Sequence, residues 1–142
     1  MYIDRMDFYD DQKEQHELPC ENRGTHIGFF LAWIIHHNLE GENPNLLFKD
    51  ELDAVRKREM TGREFLIACC DEKFSTMDLN EEGAAFASAY YHTENDGYFF
   101  DYNDTLAEDW SLFFHVEDSW QNYDIINTVI TKAYENWKKS KA

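Results

Sequence analysis

The chain has 142 residues, with 29 Asp and Glu against 13 Lys and Arg, for a formal net charge of −16. Aromatics make up 16%, a burial potential that excludes a disordered acidic tail and indicates one folded domain. The charge works against binding nucleic acid or an anionic membrane, because phosphate affinity comes from clustered cations.

Residues 1–20 read as an acidic N-terminal arm. Asp4, Asp7, Asp10, Asp11, Glu14 and Glu17 alternate irregularly with Tyr2, Ile3, Met6, Phe8 and Tyr9, whose rings could dock it. Leu18-Pro19 ends the arm, since Pro disfavours helix at the residue before it. Residues 21–142 then read as a single domain. From Asn22 to Asn38 the pattern is helical: Ile27, Leu31 and Ile34 share one face, while Phe29, Phe30 and Trp33 extend the apolar surface nearly all round. A helix of that kind is central in its domain. A second helix starts near Pro44, with Phe48, Leu52 and Val55 at i, i+4 and i+7, and Arg56-Lys57-Arg58 close it. Thr61-Gly62-Arg63-Glu64 is a capping box that opens a third helix. Asp78-Leu79-Asn80-Glu81 is a second cap, before a fourth helix rich in Gly and Ala. Asn95-Asp96-Gly97 signals a turn. Residues 98–109 fit either a short helix or an extended segment. The last helix carries Ile126, Ile130, Ala133 and Trp137 at helical spacing, with Trp120 and Tyr123 also assigned to the core. Together these predict a mostly α fold of five or six helices in one compact domain.

Cys20, Cys69 and Cys70 make no disulfide framework and no C-x-x-C. The adjacent pair reads as core packing, and the pattern points to a reducing, cytoplasmic setting. The longest apolar run, Ile27 to Ile35, falls far short of the ~20 residues that cross a bilayer. Met1-Tyr2-Ile3-Asp4-Arg5 lacks the features of a secretory leader.

The most unusual feature is a missing residue type. Between Lys73 and Lys132 there is no Lys or Arg, yet the span holds twelve acids and 13 aromatics. Ordinary surfaces intersperse both signs. Such a span predicts a patch of negative potential that steers a basic partner inward. Aromatics beside the acids would anchor it, as Tyr and Trp do at interface hot spots. The candidate contacts are Asp96, Asp101, Tyr102, Asp104, Glu108, Asp109, Trp110, Glu117 and Asp118. The same composition also describes a solvated acidic face over an aromatic core.

Catalytic readings find less support. His36 and His37 are adjacent and point about 100° apart on a helix, no His pair stands at i, i+4, and no H-E-x-x-H occurs. Nucleophile elbows and phosphate loops are absent. The most enzyme-like cluster is His115-Val116-Glu117-Asp118, where a carboxylate could orient the imidazole. It keeps open a small metal-dependent or acid–base hydrolase using His115 with Glu117 or Asp118. No cofactor or metal set is expected.

Several words of the chain carry a resemblance. They are Thr25-His26-Ile27-Gly28-Phe29-Phe30-Leu31-Ala32-Trp33, Thr61-Gly62-Arg63-Glu64-Phe65-Leu66, Asp78-Leu79-Asn80-Glu81-Glu82-Gly83, Phe86-Ala87, His115-Val116-Glu117-Asp118-Ser119-Trp120 and Asn122-Tyr123-Asp124. In this order, over about residues 20 to 138, they resemble a family of short acidic bacterial proteins, uncharacterised in function. That family is in turn similar to the immunity proteins encoded beside polymorphic toxins of contact-dependent growth inhibition and type VI systems. The resemblance implies a toxin inhibitor, with a basic toxin domain as partner and a nuclease as the expected class. It assigns no catalytic residue.

Overall fold

The computed structural model describes residues 1–12, 17–93 and 96–141. Its elements run β1 (Tyr2–Arg5), α1 (Thr25–His36), α2 (Glu42–Leu47), α3 (Lys49–Arg56), α4 (Gly62–Cys69), β2 (Lys73–Ser75), α5 (Glu81–Tyr90), α6 (Tyr98–Tyr102) and α7 (Trp120–Lys141). Short 3₁₀ turns at Met6–Tyr9, Cys20–Gly24, Thr76–Asp78 and Trp110–His115, and a π-helical turn at Asn103–Ala107, join them. The fold is mostly α in one compact domain.

The apolar pattern of α1 has the expected result: every residue from Thr25 to Ile35 is buried. The other helices pack around it. Leu52 and Val55 come from α3, Phe65 and Leu66 from α4, Phe86 and Ala87 from α5, and Tyr123, Ile126 and Ile130 from α7. Trp33 donates its indole N–H to Thr131 Oγ1 at 3.0 Å, which gives α7 one polar tie in an apolar contact. Trp120 and Trp137, assigned to the core with Tyr123, lie only partly buried against it. Cys69 and Cys70 are also half-buried, and burial pushes their thiols up, Cys69 to about 11.

Both predicted caps form. Thr61 Oγ1 accepts from the Glu64 N–H, and Glu64 Oε1 accepts from the Thr61 N–H. Asn80 caps α5 through the Gly83 N–H. Asp78, the first residue of that second signal, instead reaches back to the Ser75 N–H and caps the preceding turn. The predicted second helix divides at Phe48, whose backbone (φ −133°, ψ 40°) leaves the helical region. The ambiguous segment after Gly97 is helical, first as α6 and then as the π turn.

The first nine residues of the predicted arm are tied into the fold. β1 pairs antiparallel with β2, matching Tyr2 to Ser75, Asp4 to Phe74 and Arg5 to Lys73. Met6 and Asp4 are both buried. Tyr9 does dock through its ring, but the deeper attachment is the Asp4 carboxylate. An isolated charge is not expected to enter a core, so composition alone hides it.

The approach of α4 to α1 requires glycine on both helices. A Cβ on Gly62 would fall 1.9 Å from the Gly28 carbonyl oxygen, and one on Gly28 would fall 2.4 Å from the Arg63 nitrogen. A Gly62→Ala substitution should therefore cost about 2 kcal/mol or more through overpacking. The usual gain of up to ~1 kcal/mol from a stiffer unfolded chain does not offset that. Urea unfolding of the variant beside the parent checks it; equal midpoints would refute the contact.

Candidate functional site

The site is built by residues 96–118. Gly97 has φ 95°, the left-handed region, and a Cβ there would sit 2.2 Å from Thr93 Oγ1. This turn launches α6, whose Tyr98 and Tyr102, four residues apart, face inward and are fully buried. Phe99 and Phe100 are half-buried. Glu108 takes φ 67° and breaks the helical course, after which Asp109 caps the final 3₁₀ turn. Asp109 Oδ1 accepts from the Ser111 N–H at 2.9 Å and its hydroxyl at 2.8 Å, which lowers the carboxyl below its ordinary value.

The predicted contacts divide into two groups. Asp96, Asp104, Glu108, Asp109 and Glu117 are exposed, and Trp110 is 49% exposed. Asp101 is half-buried and accepts from the Tyr90 hydroxyl. Burial pushes its carboxyl up, Tyr90 pulls it down, and the nearby charges of Asp104 and Asp96 push it up again, leaving it raised. Among the described residues, none of these six carboxylates has a Lys or Arg in ion-pair range. Glu94, another acid of the cation-free span, lies outside the described residues.

Two candidates leave the surface. Tyr102 is wholly buried, with its ring 4.7 Å from that of Phe113, so it is core and not an anchor. Asp118 has a side chain only 6% exposed and faces Arg63 Nε at 3.2 Å. Its charge is compensated by an arginine from α4, which sequence proximity cannot reveal. Arg58 likewise pairs with Asp124 at 2.6 Å, and Lys138 with Glu82 at 3.8 Å. His115 is exposed, while Asp118 is turned to Arg63. Among the described residues no three His, Cys, Asp or Glu side chains gather as metal ligands.

Beside the acids lies an open cleft of about 270 Å³, lined by Tyr9, Gln12, Phe99, Trp110, Phe113 and Phe114. The Trp110 ring stacks on Phe113 at 5.9 Å and meets Phe100 edge-on at 5.4 Å. Behind the cleft is a cluster that residue-by-residue reading missed. His26 is fully buried, and Tyr9, Phe99 and Phe113 stand edge-on to its ring at 5.0 to 5.3 Å. Its Nε2 lies 3.1 Å from Asp4 Oδ2. The Asp4 carboxylate also accepts from the hydroxyls of Tyr9 (2.8 Å) and Tyr91 (2.7 Å) and from the Arg5 N–H (2.8 Å). Its donors come from positions 5, 22 and 87 residues away as well as from its neighbour, so no local motif announces them.

A family model described as a domain of unknown function (DUF7832) matches residues 2–116. The chain belongs to this family. The matched DUF7832 span includes β1, the Asp4 cluster, the cleft and the acids up to Asp109, and it ends before Glu117 and α7. No curated protein and no solved structure matches the chain. Among the described residues, no helix is long and apolar enough to cross a membrane.

Burial alone would raise the Asp4 carboxyl, but the His26, Tyr91 and Tyr9 contacts outweigh it and hold it below the ordinary value of 3.8. Such a group contributes its full stability above that value and loses it as pH falls through the lower folded value. Asp4→Asn should cost about 2 kcal/mol or more at pH 7, since the amide sets an N–H among buried donors that the carboxylate had accepted from. Its stability should also fall less steeply than the parent's below about pH 4. Denaturant unfolding at pH 7 and pH 3 measures both, and parallel curves would remove Asp4 from this role.

Proposed function

We propose that this DUF7832 protein is an immunity-type inhibitor that binds a basic toxin domain, with a nuclease as the favoured class. The observation that carries the reading is the run of carboxylates with no Lys or Arg partner among the described residues, Asp96, Asp101, Asp104, Glu108 and Asp109, beside the half-exposed Trp110. Glu117 adds to the same field from beyond the final 3₁₀ turn.

A nuclease must attract a polyanion, so its substrate cleft and margins are cationic. An inhibitor gains by offering spaced negative charge and flat aromatic faces to that surface. The net charge of −16 supplies long-range attraction and speeds encounter. Desolvated aromatic contact at Trp110 then slows dissociation. Holding such acids together costs stability through self-repulsion, and binding a cationic surface relieves it. The resemblance to immunity proteins supports the same reading. The cytoplasm is the compartment in which such an inhibitor would meet its toxin.

The reading expects a neighbouring open reading frame that encodes a large secreted protein with a variable C-terminal domain, and its absence would count against the inhibitor role; the test uses that C-terminal domain. Co-expression should restore growth that the domain alone arrests. Asp104→Lys with Glu108→Lys should slow association by about tenfold or more at low ionic strength and flatten its salt dependence. Asp101 is a poorer choice because it holds Tyr90. Growth arrest that the parent chain does not relieve would reject the inhibitor role. Unchanged association kinetics in the double variant would move the interface off this face.

A further inference from the structure

We propose that the cleft formed by Tyr9, Gln12, Phe99, Trp110, Phe113 and Phe114 receives one arginine side chain of the partner protein. The inference rests on the reading of a basic partner and names the group which that partner inserts.

Five of the six lining residues present rings and the sixth an amide; among the described residues the lining has no aliphatic side chain and no cation. Aromatic rings attract a cation to their electron-rich faces, so a cleft walled by five rings suits a flat cation with an apolar stem. The rings are held in place before any ligand arrives. The Tyr9 hydroxyl is anchored on buried Asp4, Phe99 stacks on Phe113 at 5.6 Å, and Trp110 stacks on Phe113 as well. Little ordering is then left to oppose binding. The field at the mouth has the matching sign. Trp110 directly follows Glu108 and Asp109, and both carboxylates lack cationic partners among the described residues.

Size narrows the occupant. At about 270 Å³ the cleft is smaller than pockets that enclose whole drug-sized ligands, and it suits one side chain. Arginine fits better than lysine because its planar guanidinium stacks on rings and sheds water more readily. Gln12 adds a carboxamide oxygen that can accept one of its N–H bonds.

The experiment titrates the full-length ¹⁵N-labelled protein with N-acetyl-arginine amide, N-acetyl-lysine amide and N-acetyl-leucine amide at low salt. The Trp110 indole N–H resonance should shift saturably with the arginine probe. Arginine should bind about fivefold or more tighter than lysine, and the leucine probe should leave that resonance in place. Trp110→Ala should weaken the arginine probe by about fivefold or more, and Trp110→Phe, which keeps a ring, should restore most of the affinity. Equal response to leucine would overturn the proposal, as would arginine shifts confined to backbone amides near the acids. The two readings fail separately. Arginine binding without toxin binding rejects the inhibitor role alone, whereas toxin binding that ignores Trp110→Ala rejects the cleft alone.

Discussion

Helix α1 has no outward face, and that constraint organises the molecule. A helix buried all round must be covered on every side, and about 140 residues leave little material with which to do it. The glycine pair Gly28 and Gly62 is part of the solution, because it lets α4 lie backbone-to-backbone against α1. The side chains of α3, α5 and α7 close the remaining flanks. The segment from Tyr98 to His115 covers the N-terminal end of α1, where Tyr98 donates to the His26 carbonyl. The acids and rings of the candidate surface are therefore mounted on a lid over the most buried part of the fold. Their positions follow from the inward demands of Tyr98, Tyr102 and Phe113.

That arrangement separates two uses of carboxylate. Asp4 is interior and saturated with donors, so it organises structure. Asp104, Glu108 and Asp109 are exposed and, among the described residues, free of cationic partners, so their charge faces solvent. Asp118 and Asp124 stand between these extremes: each comes from the cation-free span, yet each meets an arginine from the α3–α4 region. The negative field is consequently narrower than the run of sequence that produces it. Within that span, Asp104, Glu108 and Asp109 on the turns before Trp110 remain exposed and without a cationic partner among the described residues.

How much of this was legible in the sequence varied with the range of the interaction concerned. The Thr61–Glu64 and Asn80 caps, the burial of α1 and the inward set Tyr123, Ile126 and Ile130 depend on residues a few positions apart, and spacing discloses them. The division of the second predicted helix at Phe48 did not register, because Phe48, Leu52 and Val55 keep helical spacing across the break. Tyr102 and Trp110 looked equivalent as aromatics among acids, but helical phase sends the first inward while the second follows the Glu108 break. The Asp118–Arg63 pair and the Asp4 cluster join residues far apart in the chain. Composition could raise the suspicion of a negative patch, but it could not say which carboxylates the fold would neutralise.

The Asp4 cluster also constrains how this protein can vary. One acceptor serves an imidazole and two phenols, drawn from the first turn of α1, the turn after β1 and the end of α5. Losing the carboxylate strands these three side chains and the Arg5 N–H at once, and losing any one donor leaves a charge short of its shell. Drift at positions 4, 9, 26 and 91 should therefore be correlated. A lineage can cross from this arrangement to an apolar one only by changing the set together, and the four columns should rise and fall as a block.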